Sequence, residues 1–169
     1  TWQVSTDDGS SWTEINAEND TVTFSSNLFK NGTLESWNSV TVNVTPIDWD
    51  NFTSDGIAVD RFPYGDSNPS SAFEGDYYAR MVHGEGLEQS ISTNIGEEYE
   101  ITFYHAAITG GFGGDANGGI NVYVDESLIA TAPSINTSDG WQKFSVNFSA
   151  TSTTTVIGFR APGQDQQSG

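Results

Sequence analysis

Ile101–Val124 reads ITFYHAAITGGFGGDANGGINVYV. Two stretches within and beside it, Tyr99 to Tyr104 and Ile120 to Val124, alternate apolar and polar residues at the period of a half-buried β-strand. Between them the glycines Gly110, Gly111, Gly113, Gly114, Gly118 and Gly119 bracket one carboxylate and one amide, Asp115 and Asn117. A loop without Cβ atoms turns its carbonyl oxygens inward at little steric cost. Oxygen-only ligands suit a hard cation, so Asp115 and Asn117 are candidate calcium ligands. The same spacing fits a plain hairpin loop, and composition elsewhere decides between the two.

Outward from this stretch the pattern repeats. Val40 to Val44, Tyr77 to Val82, Leu87 to Ser92, Leu128 to Thr131, Lys143 to Phe148 and Thr155 to Arg160 are short runs rich in β-branched and aromatic residues, separated by turn residues. No helical stripe persists for three turns, and no internal repeat is visible. Many short strands with glycine-rich turns predict an all-β fold, a β-sandwich or jelly roll. At the amino end, TWQVSTDDGSSWTEI forms two alternating runs around an Asp7-Asp8-Gly9 turn, which predicts a β-hairpin.

Composition narrows the function. The chain has 169 residues and a net charge of −18, from 23 Asp and Glu against 5 Lys and Arg. So acidic a surface is repelled by phosphate backbones and anionic lipid, which excludes nucleic-acid binding and membrane insertion. Self-repulsion on this scale calls for counter-ions, and calcium is the natural one outside the cell. There is no cysteine, so disulfides, thiolate metal sites and cysteine nucleophiles are absent. No run reaches the length of a transmembrane helix, and the first residues lack a signal-peptide pattern. These features predict a piece of a longer, multi-domain extracellular or bacterial cell-surface protein, itself monomeric.

Asp48–Arg80, DWDNFTSDGIAVDRFPYGDSNPSSAFEGDYYAR, is the irregular part of the chain, and long loops on a β-scaffold carry function. Its aromatics can stack on a sugar or an apolar side chain, and its arginines can grip a carboxylate with their planar fork. Trp49 and Tyr77 are assigned to the core. Asp60, Arg61, Tyr64, Tyr78 and Arg80, together with His105 and Asp115 near the glycine-rich loop, are the candidate ligand-binding residues. Asp55 and Asp66 join Asp115 and Asn117 as candidate calcium ligands. His83 and His105 have no nucleophile in a recognisable setting and no zinc-site spacing, so the chain is expected not to be an enzyme.

Several segments carry a resemblance. Asn27–Trp37 (NLFKNGTLESW), Pro46 to Trp49, Asn68–Arg80 (NPSSAFEGDYYAR), Gly86–Ile91 (GLEQSI), Gly96–Phe103 (GEEYEITF) and Gly140–Val146 (GWQKFSV) follow one another as in galactose-binding-like jelly rolls. These include carbohydrate-binding modules and the ligand domains of large RTX-type bacterial adhesins. The Ser5, Asp7, Gly9, Trp12 spacing resembles hairpins of the Ig-like repeats in such adhesins. The resemblance implies a ligand-binding sandwich over residues 27–169, with residues 1–26 as the hairpin edge of a neighbouring Ig-like module or linker. It implies a non-catalytic, calcium-dependent adhesion module that binds a peptide end or a glycan on another cell surface. The alternative it leaves open is a carbohydrate-binding module tethered to a secreted polysaccharide-degrading enzyme. One departure is that the family closes with an Ile-Asp-Asn-Val-like strand, where this chain runs from Gly158-Phe159-Arg160 into APGQDQQSG.

Overall fold

A computed structural model describes residues 2–4, 13–15, 27–38, 44–52, 60–62, 71–81, 84–111, 114–116 and 118–162; for 2–4, 13–15, 60–62, 108–111 and 114–116 it describes the backbone alone. In chain order the strands are β1 (Trp2–Val4), β2 (Thr13–Ile15), β3 (Asp50–Asn51), β4 (Asp60–Phe62), β5 (Tyr78–Arg80), β6 (Gly86–Ser92) and β7 (Glu98–His105). There follow β8 (Ile108–Gly111), β9 (Gly114–Ala116), β10 (Ile120–Val124), β11 (Ser127–Ala132), β12 (Gln142–Ser149) and β13 (Thr154–Arg160). Among the described residues the one helical element is a 3-10 turn at Thr137–Asp139, and no helix is long and apolar enough to cross a membrane.

Five strands form an antiparallel sheet in the order β11-β10-β13-β6-β3, and β7 pairs with β12 in a second layer. The inward sets of the two layers meet. Leu87 and Ile91 of β6, Val122 of β10 and Ile157 and Phe159 of β13 pack with Ile101 of β7 and Phe148 of β12. Phe103 of β7 meets Phe159 of β13 edge to face across the layers, with ring centroids 5.1 Å apart. The protein is thus an all-β sandwich of the jelly-roll kind, with β1 and β2 forming an amino-terminal hairpin.

The flanking segments close the core with specific polar ties. Trp49 is buried as expected and stacks on Phe29 at 5.4 Å, while its Nε1 donates to the Asn31 carbonyl. Gln89 points inward from β6, a poor place for an amide unless its bonds are made. Its Nε2 donates to the carbonyls of Lys30 and Asp48, and its Oε1 accepts from the Lys30 N–H. One buried side chain therefore pins both flanking segments to the sheet. Between β10 and β11 the chain reverses through Asp125 and Glu126, both at positive φ, the two-residue hairpin turn whose twist matches the strands. The Asp125 carboxylate accepts from the Val156 N–H and so locks this turn to β13.

The glycine-rich loop has regular backbone structure of its own. Its backbone folds into a second ribbon, β8 against β9, and Asp115 lies within β9. Strand pairing commits part of the loop's backbone, which glycine permits because nothing obstructs close approach. The residues after Pro162, where the departure noted above lies, are outside the described residues. β13, ending at Arg160, lies between β10 and β6 in the middle of the larger sheet.

Candidate functional site

The alternation of β7 and β12 creates two faces. Tyr99, Ile101, Phe103 and His105 turn to the core side, and Glu98, Glu100, Thr102 and Tyr104 turn outward and are exposed. Opposite them on β12 stand Ser149, Asn147, Ser145 and Lys143, all exposed as well. At one end of this outer face Phe73 lies on Tyr104, with centroids 3.5 Å apart and ring planes 13° apart. The stack is open to solvent: Phe73 is 49% and Tyr104 39% exposed. Lys143 is the direct cross-strand neighbour of Tyr104.

The segment that carries Phe73 is held at three points. Trp141, just before β12, donates its Nε1 proton to the Ser71 carbonyl. Its ring meets Tyr78 edge to face at 5.4 Å. The Glu35 carboxylate accepts the backbone N–H groups of Asp76 and Tyr77 at 3.0–3.1 Å, and Gly75, at φ +69°, leaves the space in which that carboxylate sits. A carboxylate bonded by successive backbone N–H groups is a charge-assisted contact stronger than a neutral one. The segment carrying the platform is thus tied down at points besides the Phe73–Tyr104 stack itself.

The expected ligand residues are distributed differently. Asp60 and Arg80 are register partners on the β4–β5 ribbon, while Arg61 stands opposite Ala79 and Phe62 opposite Tyr78. Tyr78, however, is only 7% exposed and faces Trp141 rather than solvent. Burial pushes its phenol above the usual value, and the neighbouring Arg80 charge partly offsets this. His105 is buried, and its Nδ1 donates to the Gly118 carbonyl at 2.6 Å, tying the end of the β8–β9 excursion to β7. That is a structural task. Tyr77, assigned to the core, is half-buried. Asp55, Tyr64, Asp66 and Asn117 lie outside the described residues, and of Asp60, Arg61 and Asp115 the backbone alone is described. Among the described residues no group of three or more acidic, histidine or cysteine side chains is placed to hold a metal ion.

Phe73, Tyr104 and Trp141 were not among the expected site residues. A signal for Tyr104 existed: with Ile101 and Phe103 inward, period two turns Tyr104 outward, where a large aromatic needs a reason to be exposed. Nothing comparable marks Phe73, whose role comes from a contact with a strand 31 positions away.

Two solved structures share this fold. A cyclase from Fischerella sp. TAU, in complex with 4-(1H-indol-3-yl)butan-2-one, is similar at 18% identity and a TM-score of 0.58, over 82% of this chain and 89% of the cyclase chain. A second structure of a cyclase from Fischerella sp. TAU is similar at 17% identity and a TM-score of 0.51, over 78% and 83% of the two chains. A structure described as "CBM4 structure and function" aligns at 16% identity and a TM-score of 0.48, over 80% and 88%. No curated protein matches the sequence. Residues 65–168, which include both strands of the outer face and the Phe73 segment, match the family described as "Protein of unknown function (DUF642)". That match spans more than half of the chain, and the protein belongs to the DUF642 family.

Proposed function

We propose that this domain is a non-catalytic glycan-binding module whose binding surface is the outer face of the β7–β12 ribbon. The observation that carries the reading is the solvent-open Phe73–Tyr104 stack on an otherwise hydrophilic face. Two exposed aromatic rings stacked side by side on a polar face form a local apolar spot of the kind that a ligand can cover. The C–H face of a sugar ring fits the electron-rich face of Phe73; along the same face hydroxyls can donate to and accept from sugar hydroxyls, and carboxylates accept from them.

In this proposal the domain belongs to a longer extracellular protein, with residues 1–26 as the edge of an adjoining module, and calcium binds its acidic loops. The Asp115 region fits calcium by its donor chemistry, carboxylate and carbonyl oxygen. Any such ion steadies the scaffold and takes no part in the stacking contact.

Glycan-array screening followed by calorimetry tests the reading. Phe73→Ala is expected to weaken binding at least tenfold, equivalent to about 1.4 kcal/mol, with little change in melting temperature, since the side chain is half exposed. Failure of the unmodified domain to bind any glycan, or full affinity in the Phe73 variant, refutes it. Binding to free-carboxyl peptides that is lost on amidation would favour the peptide form.

A further inference from the structure

Resting on the glycan reading, we propose that the β7–β12 outer face is an open-ended track for an internal stretch of an extended, uncharged polysaccharide, not a pocket for a terminal sugar. Four cross-strand pairs line it in sequence: Tyr104 with Lys143, Thr102 with Ser145, Glu100 with Asn147, and Glu98 with Ser149. All eight side chains are exposed, and none is aliphatic. At about 3.4 Å per residue, Glu98 to Tyr104 covers about 20 Å, which is several sugar rings.

The chemistry changes along the track. At one end stand the Phe73–Tyr104 stack and Lys143; at the other, Glu98, Tyr99, Glu100 and Asn147 line a shallow depression of about 340 Å³. Between them the Thr102 and Ser145 hydroxyls are hydrogen-bonded to each other at 2.7 Å, and at the far end Ser149 donates to the Glu98 carboxylate. Hydroxyls, an amide and carboxylates arrayed in rows suit a ligand that presents hydroxyl groups at regular intervals. A protein partner would require a buried apolar or aromatic centre, which the far half of the face lacks. An anionic chain would meet Glu98 and Glu100 on a molecule of net charge −18, so the ligand is uncharged.

Calorimetry on the whole chain tests this with cello-, xylo- and laminari-oligosaccharides from the disaccharide to the hexasaccharide, and with a uronate series of the same lengths. Affinity for one neutral series is expected to rise more than tenfold with length. Asn147→Ala and Glu100→Gln should abolish that gain with the melting temperature unchanged. Phe73→Ala should lower affinity throughout. Equal affinity for short and long oligomers, still abolished by Phe73→Ala, would overturn the track and leave the glycan reading standing. Tighter binding of the uronate series would overturn the charge assignment. Absence of binding to every sugar would overturn both.

Discussion

The Glu35 carboxylate holds two backbone N–H groups 41 and 42 positions away, which makes the platform sensitive to one residue it does not contain. Gly75 cannot carry a side chain there: its φ is +69°, and a Cβ would overlap the carboxylate. The left-handed conformation alone costs an L-residue about 1–2 kcal/mol, so Gly75→Ala should displace Glu35 and loosen residues 71–78. Glu35→Ala is expected to do the same by removing the acceptor. Glu35→Gln keeps one oxygen where both N–H groups can reach it and should stay close to the parent. Hydrogen exchange at the Asp76 and Tyr77 amides reads this directly, without any ligand. Slow exchange in Glu35→Ala equal to that of the parent would show that the segment is held by other means.

Among the elements, β6 brings its outward Glu88 opposite Asp50 of β3, with Glu126 of the β10–β11 turn also near enough to act on it. Burial first, then the Asp50 and Glu126 charges, raise the Glu88 carboxyl above its ordinary 4.5. A folded-state pKa above the unfolded one means that the unfolded chain ionises first as pH rises. The resulting loss of stability grows from about pH 4.5 upward and is complete above the raised value. Glu88→Gln should therefore raise the melting temperature at neutral pH, and the difference should vanish in acid below the ordinary value. An unchanged or lower melting temperature at neutral pH would show that the carboxylate is compensated locally. The same strands show what the sequence makes legible. β10 coincides with the expected Ile120 to Val124, and β6, β7, β11, β12 and β13 lie within a residue or so of their expected runs, because alternation around buried Leu87, Ile101, Val122 and Ile157 writes them plainly. β3 has two residues and both are exposed, and β8–β9 is built largely of glycine, so their order comes from a partner strand and leaves no local pattern. The candidate site was legible only as a neighbourhood. The irregular Asp48–Arg80 stretch does supply Phe73, but the stack on Tyr104 joins a loop to a strand, a tertiary contact that composition cannot express. Tyr78 illustrates the converse, an aromatic in the same stretch whose burial against Trp141 no local feature announces.

At the scale of the whole molecule, apolar burial opposes charge repulsion. Ile157 is fully buried on the central strand β13 and belongs to the cluster joining both layers. Ile157→Ala is expected to cost about 2–5 kcal/mol in denaturant unfolding, a large part of the 5–15 kcal/mol typical of a folded domain. Against that margin stands the net charge of −18, whose self-repulsion favours expansion and is weakened by salt, the screening length being about 10 Å at 0.1 M. Added sodium chloride should therefore raise the melting temperature with no specific site involved. Calcium binding predicts something further. A single site adds about 1.4 kcal/mol at ten times its dissociation constant, and a site of carboxylate and carbonyl oxygens in a flexible loop prefers calcium to magnesium, which is smaller and gives up water reluctantly. Melting curves in calcium, magnesium and sodium chlorides at matched ionic strength separate the two effects. An excess rise in calcium that falls in Asp115→Ala would place an ion at the β8–β9 region. Equal curves in calcium and magnesium would assign the charge effect to diffuse screening, leaving the glycan reading to stand or fall on Phe73 and Tyr104.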